Sequence, residues 1–301
     1  MTKYLFILSL FYNESEIYNY SSILFIELFK NSMLLCKTHK IIIFVIIVKI
    51  KKHIMRYLLY IILMCCLSLT TCSNKSENRT SKRIKTMSID SLKDKSEAIK
   101  LAKQLERKGI SDKLVLEAIA SVPRHEFVDS NLREYAYHDR PLPIERNQTI
   151  SQPYTVAYQS ELLKLKSGEK VLEVGTGSGY QAAILCEMGA EVYSIERYEE
   201  LHNSSKKKLN LLGYYQNLFY GDGFEGLPEY APFDKILITA APEKIPEKLL
   251  QQLKIGGWMV VPVGDRRVQK MTIIRRTGED TFEESLHGDF IFVPMEKGTE
   301  K

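Results

Sequence analysis

Short apolar runs alternate with stretches of helical periodicity through the last two thirds of this 301-residue chain. Lys170-Val-Leu-Glu-Val174 reads as a buried strand, Gly175 to Gly179 as a glycine turn and Tyr180 to Met188 as the helix that follows, the first half of a βαβ unit. Glu191 to Ile195, Asn217 to Tyr220 and Phe233 to Thr239 predict three more strands. A helix over Pro246 to Leu253, a Gly256-Gly257 turn and a strand over Trp258 to Val263 follow. Val268 to Arg275 alternates as a further strand, with short edge pieces at Thr281 to Glu284 and Asp289 to Val293. Ahead of the first strand, apolar residues at helical spacing (Ile99, Leu101, Ala102 and Leu105, then Leu114, Val115, Ala118 and Ile119) predict helices over Ser96 to Lys108 and Ser111 to Ser121. Pro153 suits the first turn of another helix, running to Leu165. Strands alternating with helices specify an α/β fold with a doubly wound, mostly parallel sheet, here preceded by a small helical cap.

The N-terminal third departs from this pattern. Residues 1–54 mix apolar runs such as Ile41 to Val48 with scattered lysines and read as an unstructured or extraneous leader. Met55 and Arg56, the apolar run Tyr57 to Leu69 and the exit Thr70-Thr71-Cys72 read as a signal peptide or a short membrane anchor, and Leu69 to Cys72 resembles the cleavage site of bacterial lipoproteins, where the cysteine becomes the lipidated first residue. Residues 73–95 are polar and basic and read as a linker, which leaves 96–301 as the globular domain. Charge divides at the same place. Up to Lys95 there are 15 Lys and Arg against 6 Asp and Glu, and from Ser96 onward 27 against 31, so the whole-chain +5 belongs to the leader and linker. A mildly acidic domain argues against sequence-independent binding to nucleic acid, which needs clustered basic surface. Four of the five cysteines precede the linker, and Cys186 alone stands in the domain.

Candidate chemistry collects at the strand ends. Gly175, Thr176, Gly177, Ser178 and Gly179 form either a plain tight turn or a cradle, where backbone without Cβ atoms lies against a ligand and helix-start N–H groups offer donors. The G-x-G-x-G spacing puts Tyr180 where a dinucleotide fingerprint has glycine, which makes a pyrophosphate the poorer guest. Glu196, at the end of the second strand, stands at the distance where an acid binds ribose hydroxyls, or serves as a helix N-terminal acid. Gly221-Asp222-Gly223 and Thr239-Ala240-Ala241-Pro242 end the next two strands, so small or acidic residues gather where an open α/β sheet binds its ligand. Ser151 precedes the helix that Pro153 opens, either as an N-cap or as a hydroxyl facing a carboxylate. His125 and His138 have no partner at metal-ligand or triad spacing and read as packing or surface residues, and no metal site is expected.

Taken together, Val122-Pro-Arg-His-Glu-Phe-Val128, Ala136 to Ile144, Gln148-Thr-Ile-Ser-Gln-Pro153, Glu173-Val-Gly-Thr-Gly-Ser-Gly-Tyr-Gln-Ala-Ala183, Gly221-Asp-Gly223, Ala231-Pro-Phe-Asp234 and Phe292-Val-Pro294 resemble the protein-L-isoaspartate O-methyltransferase family of the class I S-adenosylmethionine-dependent methyltransferases. The resemblance runs from about Ser96 to Pro294. It implies a Rossmann-like fold, S-adenosyl-L-methionine as methyl donor without a metal, and methylation of the free carboxylate of L-isoaspartyl and D-aspartyl residues in damaged proteins, by a monomer. It also implies donor contacts from Glu173, Gly175, Thr176, Gly177, Ser178, Gly179, Glu196, Asp222 and Gly223, with Ser151 as the active-site serine. One departure stands out: Glu145-Arg146-Asn147 replaces the glycines common in the family, which implies a stiffer or differently charged lip at the peptide site. A nucleic-acid amino-methyltransferase would carry an Asp/Asn-Pro-Pro-aromatic run where Thr239 to Pro242 stands, and a non-catalytic lipoprotein module leaves Ser151, Glu196 and Asp222 without a purpose. Location is expected to be membrane-associated or exported on the strength of Met55 to Cys72, with the cytoplasm, where the methyl donor is made, as the alternative.

Overall fold

A computed structural model of the chain describes the backbone of residues 77–301 and the side chains from Leu92 onward. The leader, the signal or anchor segment and the first four linker residues lie outside the described residues. The chain divides into two compact units, Met1–Ser81 and Lys82–Lys301, and the second carries the sheet and the candidate site. Its core is a seven-stranded sheet of order β5-β4-β3-β6-β7-β8-β9. The strands are β3 (Lys170–Val174), β4 (Glu191–Glu196), β5 (Asn217–Tyr220), β6 (Phe233–Ile238), β7 (Leu253–Gly264), β8 (Gln269–Arg276) and β9 (Phe282–Phe290). The first five of these run parallel to their neighbours, and β8 and β9 close the sheet as antiparallel edge strands. A small hairpin, β1 (Leu142–Pro143) and β2 (Thr149–Ile150), stands apart from it.

Helices cover both faces. In chain order they are α1 (Glu77–Arg107), α2 (Lys113–Ser121), α3 (Pro153–Leu163), α4 (Tyr180–Glu187), α5 (Glu199–Leu211) and α6 (Glu247–Gln251). Strand parity decides which core each residue joins. Val171, Val192, Leu237 and Val260 pack with the cap helices, α3 and α4, whereas Leu172, Tyr193, Ile195, Ile236, Ile238 and Met259 pack with Leu249 of α6 on the other face. Strands buried on both faces are why the sequence shows continuous apolar runs rather than clean alternation.

Two expectations need correction, and the linker gains a conformation. The stretch read as a linker is helical from Glu77, because no Gly or Pro interrupts residues 73–108 and polar composition limits burial, not helix formation. Among the described side chains of α1, from Leu92 onward, the first buried one is Ala98. Gly256-Gly257 is no turn but a bulge inside β7: the pairing with β6 shifts register between Phe233 and Lys235, Gly256 has φ 85°, and a Cβ on Gly257 would stand 2.8 Å from the carbonyls of Asp234 and Lys254. The two edge pieces expected near the C-terminus are one strand, β9, held along its length by β8. Among the described residues no helix is long and apolar enough to cross a membrane.

Candidate active site

The chain runs outward from β3 to β4 and β5, then returns to the other side of β3 as β6. At such a switch point the loops after neighbouring strands diverge and leave a crevice at the carboxyl ends. The crevice is lined by residues 174–178 after β3, 195–198 after β4, Gly223 after β5, and Thr239 and Ala240 after β6. Residues 148–151 of the hairpin and 293–296 of the C-terminal segment form its two lips.

The turn after β3 is built for close approach. Gly175 has φ 96°, and a Cβ there would lie 2.5 Å from the Thr239 hydroxyl oxygen, which itself stands 2.7 Å from the Gly175 carbonyl. Gly177 has φ 52°, and its N–H donates to Glu196 Oε2 at 2.8 Å. Glu196 Oε1 accepts from the Tyr198 N–H at 3.0 Å. The carboxylate is thus fixed by backbone on both sides while still lining the crevice, and roughly two of its four lone-pair directions stay free. Burial raises its pKa above the ordinary range, against the lowering effect of those N–H bonds. A Cβ on Gly223 would meet Val174 Cγ1 at 2.6 Å, so the loop after β5 can lie this close only as glycine.

Ser151 stands on the opposite lip. It is not an N-cap: α3 starts at Pro153 with Gln152 at the cap position and no side-chain cap bond, so the Ser151 hydroxyl is not engaged as a cap. Its position is set from below by Arg124, a residue to which sequence reasoning gave no role. Arg124 is fully buried. Its Nε donates to the Ala136 carbonyl at 2.9 Å and its Nη2 to the Ser151 carbonyl at 2.8 Å, while the guanidinium lies 4.6 Å from the Tyr180 ring centroid. Burial lowers its pKa, yet an arginine stays charged; the two carbonyls and the ring face replace part of its water, and Nη1 is buried without a hydrogen-bond partner. Tyr180, the residue in the third-glycine place, lines the crevice floor between Arg124 and the glycine turn.

Not every expected contact residue reaches the crevice. Glu173 shares the parity of Val171, so its side chain enters the core beside its register partner Ser194. Ser194 Oγ donates to Glu173 Oε2 at 2.5 Å and lies 2.6 Å from Thr176 Oγ1, so Glu173 touches the crevice only through two hydroxyls. Its other oxygen has no partner, and burial pushes its pKa up to about 8. Gly179 faces α5 instead, where a Cβ would meet Leu209 Cδ1 at 2.8 Å. Asp222 lies in the neighbouring cavity, where Oδ1 accepts from the Phe224 N–H at 2.9 Å and Oδ2 from the Gly298 N–H at 2.7 Å. It anchors the C-terminal segment. Gly175, Thr176, Gly177, Ser178, Glu196, Gly223 and Ser151 do come together. His125 lies elsewhere in the cap, its Nδ1 2.6 Å from the Tyr137 hydroxyl, and His138 packs edge-on against Tyr135. Among the described residues no group of three or more His, Cys, Asp or Glu could hold a metal ion.

Comparison with known proteins shows the family. Residues 96–300 match the family model described as protein-L-isoaspartate(D-aspartate) O-methyltransferase (PCMT). The chain is 52% identical over 207 residues to a protein-L-isoaspartate O-methyltransferase of Christiangramia forsetii, covering 68% of this chain and 97% of that one. It is 54% identical over 192 residues to the Flavobacterium psychrophilum protein of the same name, covering 64% and 90%. Among solved structures, a protein-L-isoaspartate O-methyltransferase superposes with a TM-score of 0.60 at 30% identity, over 65% of this chain and 64% of that chain. A Plasmodium falciparum protein described as a beta-aspartate methyltransferase (PCMT) in complex with S-adenosyl-L-homocysteine superposes at 0.59 with 25% identity, over 67% and 99%. A glycine cradle, a crevice-facing acid and a presented serine at the carboxyl ends of a doubly wound sheet, with a family match spanning the whole domain, place this chain in the protein-L-isoaspartate(D-aspartate) O-methyltransferase family.

Proposed function

We infer that this chain transfers a methyl group from S-adenosyl-L-methionine to the free carboxylate of L-isoaspartyl and D-aspartyl residues in damaged proteins, and that it does so in the crevice between the glycine turn and Ser151. Family membership supports the reaction, and the observation that carries the placement is Glu196: a carboxylate fixed by two backbone N–H groups with acceptor capacity left toward the crevice. Gly175, Thr176, Gly177 and Ser178 would lie along the donor, Glu196 would accept from its ribose hydroxyls, and Gly223 leaves room beside its base. A side chain at Gly175 or Gly223 would collide with Thr239 or Val174, so the crevice keeps its form only with glycine at both places. When bound, the donor supplies a methyl group on a positively charged sulfur.

The residues of the chain then have positioning work only. The acceptor's carboxylate is ionised at neutral pH, so no general base is needed. Ser151 orients it by donating a hydrogen bond, and Arg124 holds Ser151 in place through its carbonyl. Apolar walls from Val156, Ile195, Leu201, Val293 and Met295 keep water from the meeting of two opposite charges, whose neutralisation gains from a drier surrounding. Ser151→Ala tests the assignment: losing a hydrogen bond to a charged group should lower turnover of an isoaspartyl peptide at least about tenfold while affinity for S-adenosylhomocysteine stays within about twofold. Loss of donor affinity with unchanged turnover per bound donor would make Ser151 structural.

For location, the reading favoured by Met55 to Cys72 is a membrane-associated or exported lipoprotein form that carries the domain outside or at the membrane, although that segment lies outside the described residues. Protease treatment of spheroplasts tests it. Digestion of the domain before lysis of the inner membrane supports export, and protection until lysis places the enzyme in the cytoplasm.

A further inference from the structure

The loop between β1 and β2 holds the only non-glycine residues in the left-handed region besides Lys164 among those described: Arg146 at φ 59° and Asn147 at φ 53°. Asparagine tolerates this conformation, but arginine does not favour it, so something outside the loop holds Arg146 there. Its side chain supplies the reason. Nε donates to Glu200 Oε2 at 2.7 Å, at the start of α5, and Nη1 lies 3.6 Å from Glu300 Oε1, in the C-terminal segment. The other oxygen of Glu300 is 3.4 Å from Arg197 Nη1, which also lies 3.1 Å from Glu296 Oε2. An unbroken line of alternating charge therefore runs Glu200, Arg146, Glu300, Arg197, Glu296.

Two members of that line, Arg197 and Glu296, also line the crevice. On one side, Ile144 lies over the glycine turn, close enough that a Cβ on Gly177 would touch it at 3.7 Å, and Gln148 to Ser151 form the lip. On the other, Val293 to Glu296 form the opposing wall, tied down by Asp222 at Gly298 and by the paired backbone bonds of Arg197 and Glu199 with Glu300. Arg146 is the residue that joins the hairpin lip to both α5 and the C-terminal segment. All five side chains are part-exposed, so each pair alone contributes little, but their linkage gives them a common task.

We propose that Arg146 is a positioning residue that clamps the hairpin lip to the C-terminal strap and thereby sets how long the nucleoside thioether product stays in the crevice. This rests on the reading that the crevice holds the methyl donor and its product. Arg146 itself is not among the residues that line the crevice, so it governs the rate of release more than the strength of binding by the crevice floor.

The test uses the full-length protein and labelled S-adenosylhomocysteine, chased with excess unlabelled compound. Arg146→Gln, which keeps the Cβ and removes the charge, should release the label about three- to tenfold faster, and Glu200→Gln should accelerate it less. Release from the unmodified protein should quicken between about 50 mM and about 500 mM salt, and Arg146→Gln should lose most of that dependence. Arg146→Lys should recover part of the retention, a result that a purely structural role for the residue would not give. Unchanged release and an unchanged salt response in both charge-removing variants would overturn the clamp, while a Glu196→Ala protein that binds S-adenosylhomocysteine normally would instead overturn the crevice reading beneath it.

Discussion

Replacing Glu196 gives the sharpest quantitative test of the donor site. Its two carboxylate oxygens already accept from Gly177 and Tyr198, at 2.8 and 3.0 Å, leaving roughly two lone-pair directions for a ribose diol. A hydrogen bond to a charged acceptor is worth about 1.5–3 kcal/mol, so losing two costs about 3–6 kcal/mol, or roughly a hundred- to ten-thousandfold in affinity. Burial of the carboxylate, the largest cause of its raised pKa, has already consumed part of that gain in the free protein, which places the expected loss for Glu196→Ala near the lower end, about a hundredfold. Glu196→Gln keeps the size but must point an amide N–H toward one of the two backbone donors, so it should fall between, at about ten- to thirtyfold. Stability should drop only modestly, because Gly177 and Tyr198 are half-buried and water can reach their N–H groups. Calorimetric titration with S-adenosylhomocysteine reads the effect, with a melting curve as the folding control. An affinity within about threefold of the unmodified protein for both variants would show that Glu196 does not hold the ribose.

Two further outcomes follow from the same geometry. Gly175→Ala forces a Cβ to within 2.5 Å of the Thr239 hydroxyl at φ 96° and should destabilise the fold by about 1–3 kcal/mol, several degrees in melting temperature, with donor binding weakened as the turn shifts. Glu173 has a folded pKa raised from 4.5 to about 8, so between those values the native state holds a proton that the unfolded chain has lost, and stability falls as pH rises through that window. Denaturant unfolding of Glu173→Gln across pH 5 to about 9 should show a flatter profile, with the variant gaining on the parent by up to a few kcal/mol at the alkaline end; equal slopes would place an ionised carboxylate in the core.

The strands of the parallel sheet and the glycine turn are legible in the chain because buried parallel strands are short, apolar and punctuated by glycine. Glu196 is legible for a related reason: it ends a strand beside the turn, and residues there have nowhere to go but the crevice. The direction of the Glu173 side chain is not legible because a strand buried on both faces shows no alternation, so nothing local tells which side of the sheet the parity shared by Val171 and Glu173 faces. For Asp222 the strand-end position is legible, but the bond its Oδ2 accepts from the N–H of Gly298 is not, because that contact, 76 residues away, is created only by tertiary packing. Arg124 is hidden because arginine is rarely buried without a carboxylate, and the groups that make burial possible, two carbonyls and the Tyr180 face, come from three separate segments. The helical start of α1 shows the opposite limit, where polar composition speaks to burial and not to backbone conformation.

Methyl transfer itself tests the central claim most directly. The purified full-length protein is incubated with methyl-labelled S-adenosyl-L-methionine and two peptides of one sequence, one containing an L-isoaspartyl residue and the other a normal L-aspartyl residue. Base-labile label on the isoaspartyl peptide alone, abolished or strongly reduced by Ser151→Ala, is the expected result. Equal labelling of both peptides, or of neither while S-adenosylhomocysteine still binds, would contradict an isoaspartyl carboxyl methyltransferase built around Ser151 and the glycine turn.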